Sequence, residues 1–288
     1  MRPRTVRRVK VGTGMALLLL AAVYVLAPIY WLLISSTKST SQLFGTSTFL
    51  PPGHLSLGAN LSTLLSFENG AFKYWFVNSI VYATVTALLA TGVCSLCGYA
   101  LAKFRFRMRR PLFGLVVGSL MVPSTALVVP IFMLENFLHL TNTYQGVILP
   151  LMVYPFGVYF MSVYSLDAVP DMLLDAARID GAAELGVFWR IARPLLMPGM
   201  VTLFLLSFIG TWNNYFLPFV LLGSSTRYPL TVGLSTWASE LHLAGASQPL
   251  YPELVLGSLI SVLPMLILFP FLQKYVARGL TLGAIAGE

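Results

Sequence analysis

Marking every Asp, Glu, Lys and Arg leaves seven stretches of at least 20 residues that carry none: 11–37, 39–67, 74–102, 111–134, 136–166, 194–226 and 254–273. About 20 largely apolar residues in a helix cross roughly 30 Å of hydrocarbon, so each stretch is long enough. The second, STSQLFGTSTFLPPGHLSLGANLSTLLSF, is rich in Ser, Thr, Gly and Pro. As a continuous helix in lipid it would leave backbone groups unsatisfied, so it reads as a loop. The pattern therefore predicts an all-α polytopic membrane protein of one domain, with six spans near 12–34, 75–101, 112–134, 144–164, 200–222 and 254–273. The segments 35–74, 135–143 and 223–253 become outer loops, and 165–199 becomes a long loop on the opposite face.

Composition agrees with the pattern. The 288 residues are 57% apolar and 10% charged, against about 25% charged in a soluble chain. A soluble enzyme and a disordered chain are both excluded. Charge then sets the orientation. Arg2, Arg4, Arg7, Arg8 and Lys10 precede the first span, and Lys103, Arg105, Arg107, Arg109 and Arg110 follow the second. Arg178, Arg190 and Arg193 follow the fourth, with Lys274 and Arg278 after the sixth. Only Lys38, Lys73 and Arg227 fall on the other side, so both termini are expected in the cytoplasm. This bias explains the KFRFRMRR run without nucleic acid, and anionic lipid headgroups are its expected secondary partner. The first apolar stretch exceeds the 7–15 residues of a signal peptide and has no A-x-A site. It is expected to stay as an anchor, placing the chain in a bacterial-type inner or plasma membrane.

All ten carboxylates lie outside the spans or at their edges: Glu68, Glu135, Asp167, Asp171, Asp175, Asp180, Glu184, Glu240, Glu253 and Glu288. A proton- or ion-coupled carrier keeps such groups inside the membrane. No lysine follows a glycine, so the chain lacks a phosphate-binding loop, and ATP would have to be bound by another subunit. His54, His139 and His242 are scattered over three outer loops, and no metal cluster is expected. Cys94 and Cys97 form C-x-x-C in the middle of span 2, where small residues that let helices approach explain them better than redox chemistry. Neutral polar residues do enter the spans: Asn78 and Thr84 in the second, Thr211, Trp212, Asn213 and Asn214 in the fifth. Asn78, Trp212, Asn213 and Asn214 fit either a carbohydrate pathway, by stacking and amide–hydroxyl pairing, or contacts between helices. Pro28, Pro123, Pro130, Pro150, Pro155, Pro218, Pro264 and Pro270 predict kinks.

The most informative segment is SLDAVPDMLLDAARIDGAAELGVFWRIARPLLMPG. It predicts a helix over 171–180 behind Pro170, a break at Gly181, and a second helix from Ala182 to about Arg193 that Pro194 stops. The result is a projecting corner whose Ala176 and Ala177 admit another surface, with Asp175, Arg178 and Asp180 supplying charge. The run resembles the EAA loop of ABC importer permeases: Glu-Ala-Ala, three residues, Gly, nine residues, Ile-x-Leu-Pro. Asp175-Ala176-Ala177, Gly181, Ile191, Arg193 and Pro194 match that spacing in full, with Asp175 in place of Glu and Arg193 in place of Leu. FIGTWNNYFLPFVLL, YPLTVGL, WFVNSIVYATV and the ending QKYVARGLTLGAIAGE are similar to the carbohydrate, maltose-type branch, in particular to the shorter six-span permease of a heterodimeric pair.

The resemblance implies a transport subunit, not an enzyme. Its implied partners are a second permease, two copies of an ATPase subunit that use ATP and Mg, and an extracellular or periplasmic solute-binding protein. No cofactor is implied on this chain. Residues 175–182 would sit in a cleft of the ATPase and act as a lever, with Ile191, Arg193 and Pro194 closing the motif. The tail 279–288 would reach the same interface. The outer segment 224–252, with Trp237, Gln248 and Tyr251, is either a contact for the binding protein or a plain loop. Two other classes stay in view. A membrane enzyme would need clustered His, Asp or Glu at the membrane face, and a secondary carrier would need ionisable groups and repeats in the membrane. A non-carbohydrate solute is the alternative within the same class.

Overall fold

The long apolar runs leave the backbone no partner but itself, and every regular element among the described residues is helical. The computed structural model describes residues 3–242 and 251–285. The helices are α1 (Pro3–Ser36), α2 (Thr40–Gly45), α3 (Leu57–Lys103), α4 (Arg109–Ser119), α5 (Val128–Phe137), α6 (Tyr144–Met152) and α7 (Pro155–Ala168). They continue with α8 (Asp171–Ile179), α9 (Glu184–Val187), α10 (Arg193–Trp212), α11 (Phe216–Leu221), α12 (Leu230–His242) and α13 (Tyr251–Ile285). Four stretches are long and apolar enough to cross a membrane unbroken: Gly14–Ser36, Leu57–Lys103, Glu184–Trp212 and Tyr251–Leu268. Two more qualify as bent pairs, α4 with Ser124–Phe137 at 99° and α6 with α7 at 40°. The structure thus carries four to six candidate spans.

Several expected boundaries move, each for a local reason. The region 35–74 is not a plain loop. Ser39 and Gln42 form a reciprocal capping box that starts α2, and α3 begins at Leu57. Within α3 the chain reverses hand at Glu68, Asn69 and Gly70, all at positive φ, which separates 57–66 from the long run 71–103. Span 3 is broken where Pro123 cannot continue a helix. Span 5 starts earlier than expected, because Pro194 does not stop its helix. Residues Phe188–Ala192 form a wide π turn in which the Arg193 amide bonds the Phe188 carbonyl five residues back. That widening takes up the missing amide of Pro194, which lies in the first turn of α10.

The chain divides into two compact units, residues 1–72 with 234–263 and residues 73–233 with 264–288. In the first, α1 ends at buried Ser35 and Ser36, and Asn60 donates to the Ser36 and Lys38 carbonyls at 2.9 Å each. Lys38 is itself buried and donates to the Ser47 carbonyl at 2.7 Å, while Tyr30 reaches the Phe49 carbonyl at 3.0 Å. The segment 37–56 is therefore tied down as a cap. Trp237 lies fully buried in this unit, edge-on to Phe67 with ring centroids 5.3 Å apart.

The second unit is built around the long run of α3. On one stretch of it Trp75, Asn78, Ser79 and Tyr82 share a face at i, i+3, i+4 and i+7. All four bind the irregular segment 225–230. Trp75 donates to the Ser225 carbonyl (2.8 Å), Asn78 to those of Thr226 (2.9 Å) and Tyr228 (3.1 Å), and Tyr82 to that of Arg227 (3.0 Å). The Ser79 hydroxyl accepts from the Leu230 amide at 2.7 Å. Further along, α3 meets α7. A Cβ on Gly98 would stand 2.6 Å from the Met161 Cβ and 2.7 Å from its backbone carbon, so only glycine allows this approach. Beside it Cys94 is buried and its thiol donates to the Tyr154 carbonyl at 3.3 Å. This is the close-packing role expected for the first cysteine of the C-x-x-C, while Cys97 is exposed.

The approach at Gly98 yields a paired prediction. Gly98→Ala should lower the thermal midpoint of the purified protein, by the equivalent of about 1–3 kcal/mol for overpacking. Gly92→Ala, with nothing within 4 Å of its new Cβ, should be neutral or slightly stabilising. Equal midpoints for the two variants in a thermal-shift assay would refute the contact.

Candidate functional site

The corner at 171–187 is made by a short amphipathic helix and a left-handed glycine. Asp171 sits in the first turn of α8, after Pro170 in extended conformation, and Asp180 caps the far end. Gly181 takes φ +78 and donates to the Arg178 carbonyl, while Ala182 donates to that of Ala177, both at 3.0 Å. Those two bonds are a Schellman ending, which satisfies the last carbonyls of α8 and reverses the chain into Ala183 and α9.

Charge closes the corner. Arg178 donates to Asp175 at 3.0 Å and to both oxygens of Glu184, at 2.8 and 3.3 Å. The hydrogen bonds to Glu184, then Asp175, hold its guanidinium further above its ordinary range. Asp175 and Arg178 are thus engaged within the corner, which leaves exposed Asp180 as the one of the three expected charges outside the ion pairs among the described residues. Glu184 was not among the expected site residues, although its place six residues after Arg178, across a glycine break, was the available signal. Lys103 at the end of α3 reaches Asp171 at 2.8 Å. This bond holds the Asp171 carboxyl below its usual value. A depressed carboxylate contributes above its unfolded pKa and is lost as pH falls through the lower folded one. The tie is therefore intact at neutral pH and loosens only under acid conditions.

The two faces of the corner differ. Leu174, Ala177, Val187, Phe188 and Ala192 are buried together with Cys94, Tyr99, Met161, Leu196 and Leu203, and half-buried Ile191 packs on the same cluster. Of the small pair, Ala177 faces this core and Ala176 is exposed. The outer face carries Met172, Ile179 and Leu185, exposed by 83%, 86% and 70%, beside Gly181 and Ala182. Arg193, in the place of the expected leucine, lies over the Trp189 ring at 5.3 Å, and Pro194 is exposed.

The polar residues expected to line a pathway are not gathered together. Asn78 is buried and fully engaged, since besides its two donated bonds it accepts from the Tyr144 hydroxyl at 2.7 Å. It fastens 225–230 to α3, the contact role that was the other reading of this residue. Trp212 is buried and stacked on Phe208 at 5.9 Å. Asn213 and Asn214 mark a break in span 5. Asn213 donates to the Ile209 carbonyl at 2.9 Å, and the Asn214 side chain accepts from the Leu217 amide at 3.4 Å at the start of α11. Asn213 is the exposed one of the four. Next to it Tyr215 and Phe219 stack at 5.2 Å, 37% and 50% exposed. Their i, i+4 spacing was visible, but only the break at Asn213 makes them a platform.

Of the residues expected to meet a binding protein, Trp237 is fully buried and packs edge-on to Phe67. Tyr251 is half-buried, edge-on to Phe44 at 5.0 Å. Gln248 lies outside the described residues, as do the last residues of the tail 279–288, whose helix is described to Ile285.

Long apolar helices that root a charged, apolar-tipped corner define a multi-pass membrane permease, a transport subunit and not an enzyme. The chain belongs to the family of binding-protein-dependent transport system inner membrane components, whose model matches residues 94–282. It is a permease subunit of an ABC importer in the inner membrane. It is 36% identical to the arabinooligosaccharides transport system permease protein AraQ of Bacillus subtilis (strain 168), over 96% of each chain. It is 30% identical to the lactose transport system permease protein LacG of Rhizobium radiobacter, over 94% of each. Its fold also matches a chain in the crystal structure of a bacterial ABC transporter that imports the acidic polysaccharide alginate. That match has a TM-score of 0.82 and 25% identity, covering 96% of this chain and 99% of the other.

Loss of the Arg178 fastener should be local. Arg178→Gln should raise hydrogen-exchange rates across 178–187 and leave α3 and α7 unchanged. Gly181→Ala, forced to φ +78, should raise exchange in the same region at a cost of about 1–2 kcal/mol. Unchanged exchange in both variants would contradict the fastened corner.

Proposed function

We propose that this chain is one half of a heterodimeric permease that imports a carbohydrate. In this reading six spans, counting each bent pair as one, cross the membrane with both termini in the cytoplasm. The corner 171–187 docks into a cleft of an ATPase subunit, one of two copies that use ATP and Mg. The observation that carries the reading is the corner itself, a charge-fastened helix pair with its inner face in the core and Met172, Ile179 and Leu185 exposed. Apolar side chains that exposed on a charged corner await a partner surface.

Binding at the corner must favour one of two states if it is to drive transport. Its inner face packs on residues of α3, α7 and α10, so movement of the corner moves those helices with it. A binding protein delivers the solute at the outer face. Asn213, Tyr215 and Phe219 contribute to the pathway, where stacked rings meet sugar faces and the amide meets hydroxyls. A carbohydrate is supported by AraQ and LacG, whose names carry arabinooligosaccharides and lactose.

Two experiments test this reading on the complex in liposomes. Ile179→Asp with Leu185→Asp should cut ATPase stimulation by binding protein plus sugar about tenfold or more, as for loss of an interface anchor, with equal membrane insertion. Normal stimulation in that variant would remove the corner as the lever. Phe219→Ala should raise the KM for transport several-fold while basal ATPase activity holds, and an unchanged KM would remove the platform from the pathway.

A further inference from the structure

The turn between α3 and α4 takes no part in the corner's outer face or in the pathway, yet it holds the densest charge in the protein. Residues 105–110 read Arg-Phe-Arg-Met-Arg-Arg. Arg105, Arg107, Arg109 and Arg110 line, with Phe106, an open concavity of about 390 Å³. Arg105, Arg107 and Arg110 are exposed, and Arg109 is half-buried. Among the described residues the ion pairs are Lys103 with Asp171 and Arg178 with Asp175 and Glu184, so none of the four arginines is paired. Arg105 adds attraction to Asp171 from a distance but forms no bond with it. Four like charges within six residues repel one another, and no carboxylate among the described residues bonds any of them.

The chemistry of the missing partner follows from what surrounds the charges. Guanidinium forks match phosphate oxygens two at a time. Immediately beyond them the surface turns apolar. Phe106 and Met108 are exposed by 40% and 54%, and α4 has no buried residue, exposing Leu112 and Leu115 by 42% and 69%. A free phosphate would satisfy the arginines alone. A molecule with an anionic phosphate head and acyl tails satisfies both surfaces.

We propose that the 105–110 turn binds the headgroup of an anionic phospholipid and that its occupancy steadies the coupling corner. The route is short. Lys103, two residues before the arginines, bonds both Asp171 in the first turn of α8 and, at 3.4 Å, the Leu166 carbonyl at the end of α7. A headgroup that holds the turn holds the end of α3, and with it the anchor of α8. The inference rests on the orientation proposed above to assign the lipid to the cytoplasmic leaflet, and on the proposed coupling role of the corner for its effect on ATPase stimulation.

The test separates lipid binding from transport. The purified complex is stripped of lipid and titrated in detergent with phosphatidylglycerol, phosphatidylcholine or inorganic phosphate, and retained lipid is counted by native mass spectrometry. The variant carries Arg105→Gln, Arg107→Gln and Arg110→Gln, all exposed positions, and its thermal midpoint is matched to the parent. Phosphatidylglycerol should be retained by the parent, with affinity falling about a hundredfold in the variant at roughly a factor of five per basic residue. The Arg→Lys triple variant should keep most of that affinity, and ATPase stimulation in phosphatidylglycerol vesicles should fall in the Gln variant alone. Equal retention by the Gln variant would overturn the proposal. So would displacement of the lipid by an equal concentration of phosphate, which marks a free-anion site, or loss of the second permease with retention unchanged, which marks a protein contact. Failure of the chain to engage an ATPase would instead remove the transport reading and leave lipid retention standing.

Discussion

A peptide group in hydrocarbon has no water to bond, so every break in a helix must be repaired by the protein itself. This constraint organises the second unit. Where the chain leaves helix at 225–230, a face of α3 supplies Trp75, Asn78, Ser79 and Tyr82 to its carbonyls and its Leu230 amide. Where span 5 breaks, Asn213 and Asn214 close one helix and open the next. Where α6 begins, the Thr143 hydroxyl accepts from the Gly146 amide at 3.0 Å and donates to the Leu140 carbonyl at 2.6 Å. These polar residues of the spans permit irregular backbone, and irregular backbone is where a permease can present groups to a solute.

The corner 171–187 is shaped by the same need to satisfy helix-end carbonyls, here met by the Gly181 and Ala182 amides. Its two reversing bonds and the Arg178 fastener leave the corner no internal freedom to absorb a push. Its apolar underside shares one buried cluster with α3, α7 and α10, while its outer face stays apolar and unpartnered. The lateral tie from Lys103 to Asp171 adds a second root, at the turn that holds the arginines.

Close approach replaces hydrophobic drive in this setting. Lipid is as apolar as leucine, so burial contributes little to helix association and contact geometry contributes most. Gly98 against Met161, with Cys94 bonding a neighbouring carbonyl, is that geometry at the centre of the unit. The outward face of α3 accordingly keeps large side chains such as Val77, Ile80 and Leu88 exposed.

The sequence by itself determined the class of the protein. Charge-free runs of spanning length, the arginines and lysines clustered between them, and the spacing from Asp175 through Gly181 to Pro194 were all local and additive, and hydropathy, charge and spacing need no folded partner to be read. The break at Gly181 was legible because a helix that reverses there needs a left-handed residue. The tertiary structure decided what the polar side chains do. Asn78, Asn214, Trp212 and Trp237 have the same composition whether they face a solute or a neighbour, and only packing assigned them to caps, fasteners and core. It also decided that Pro194 is carried through by a π turn, that Glu184 closes on Arg178, and that Tyr215 and Phe219 stack in the open just after the helix break at Asn213. A side chain's role depends on which unpaired backbone group or ring lies opposite it, and that is set by contacts between residues up to 151 positions apart.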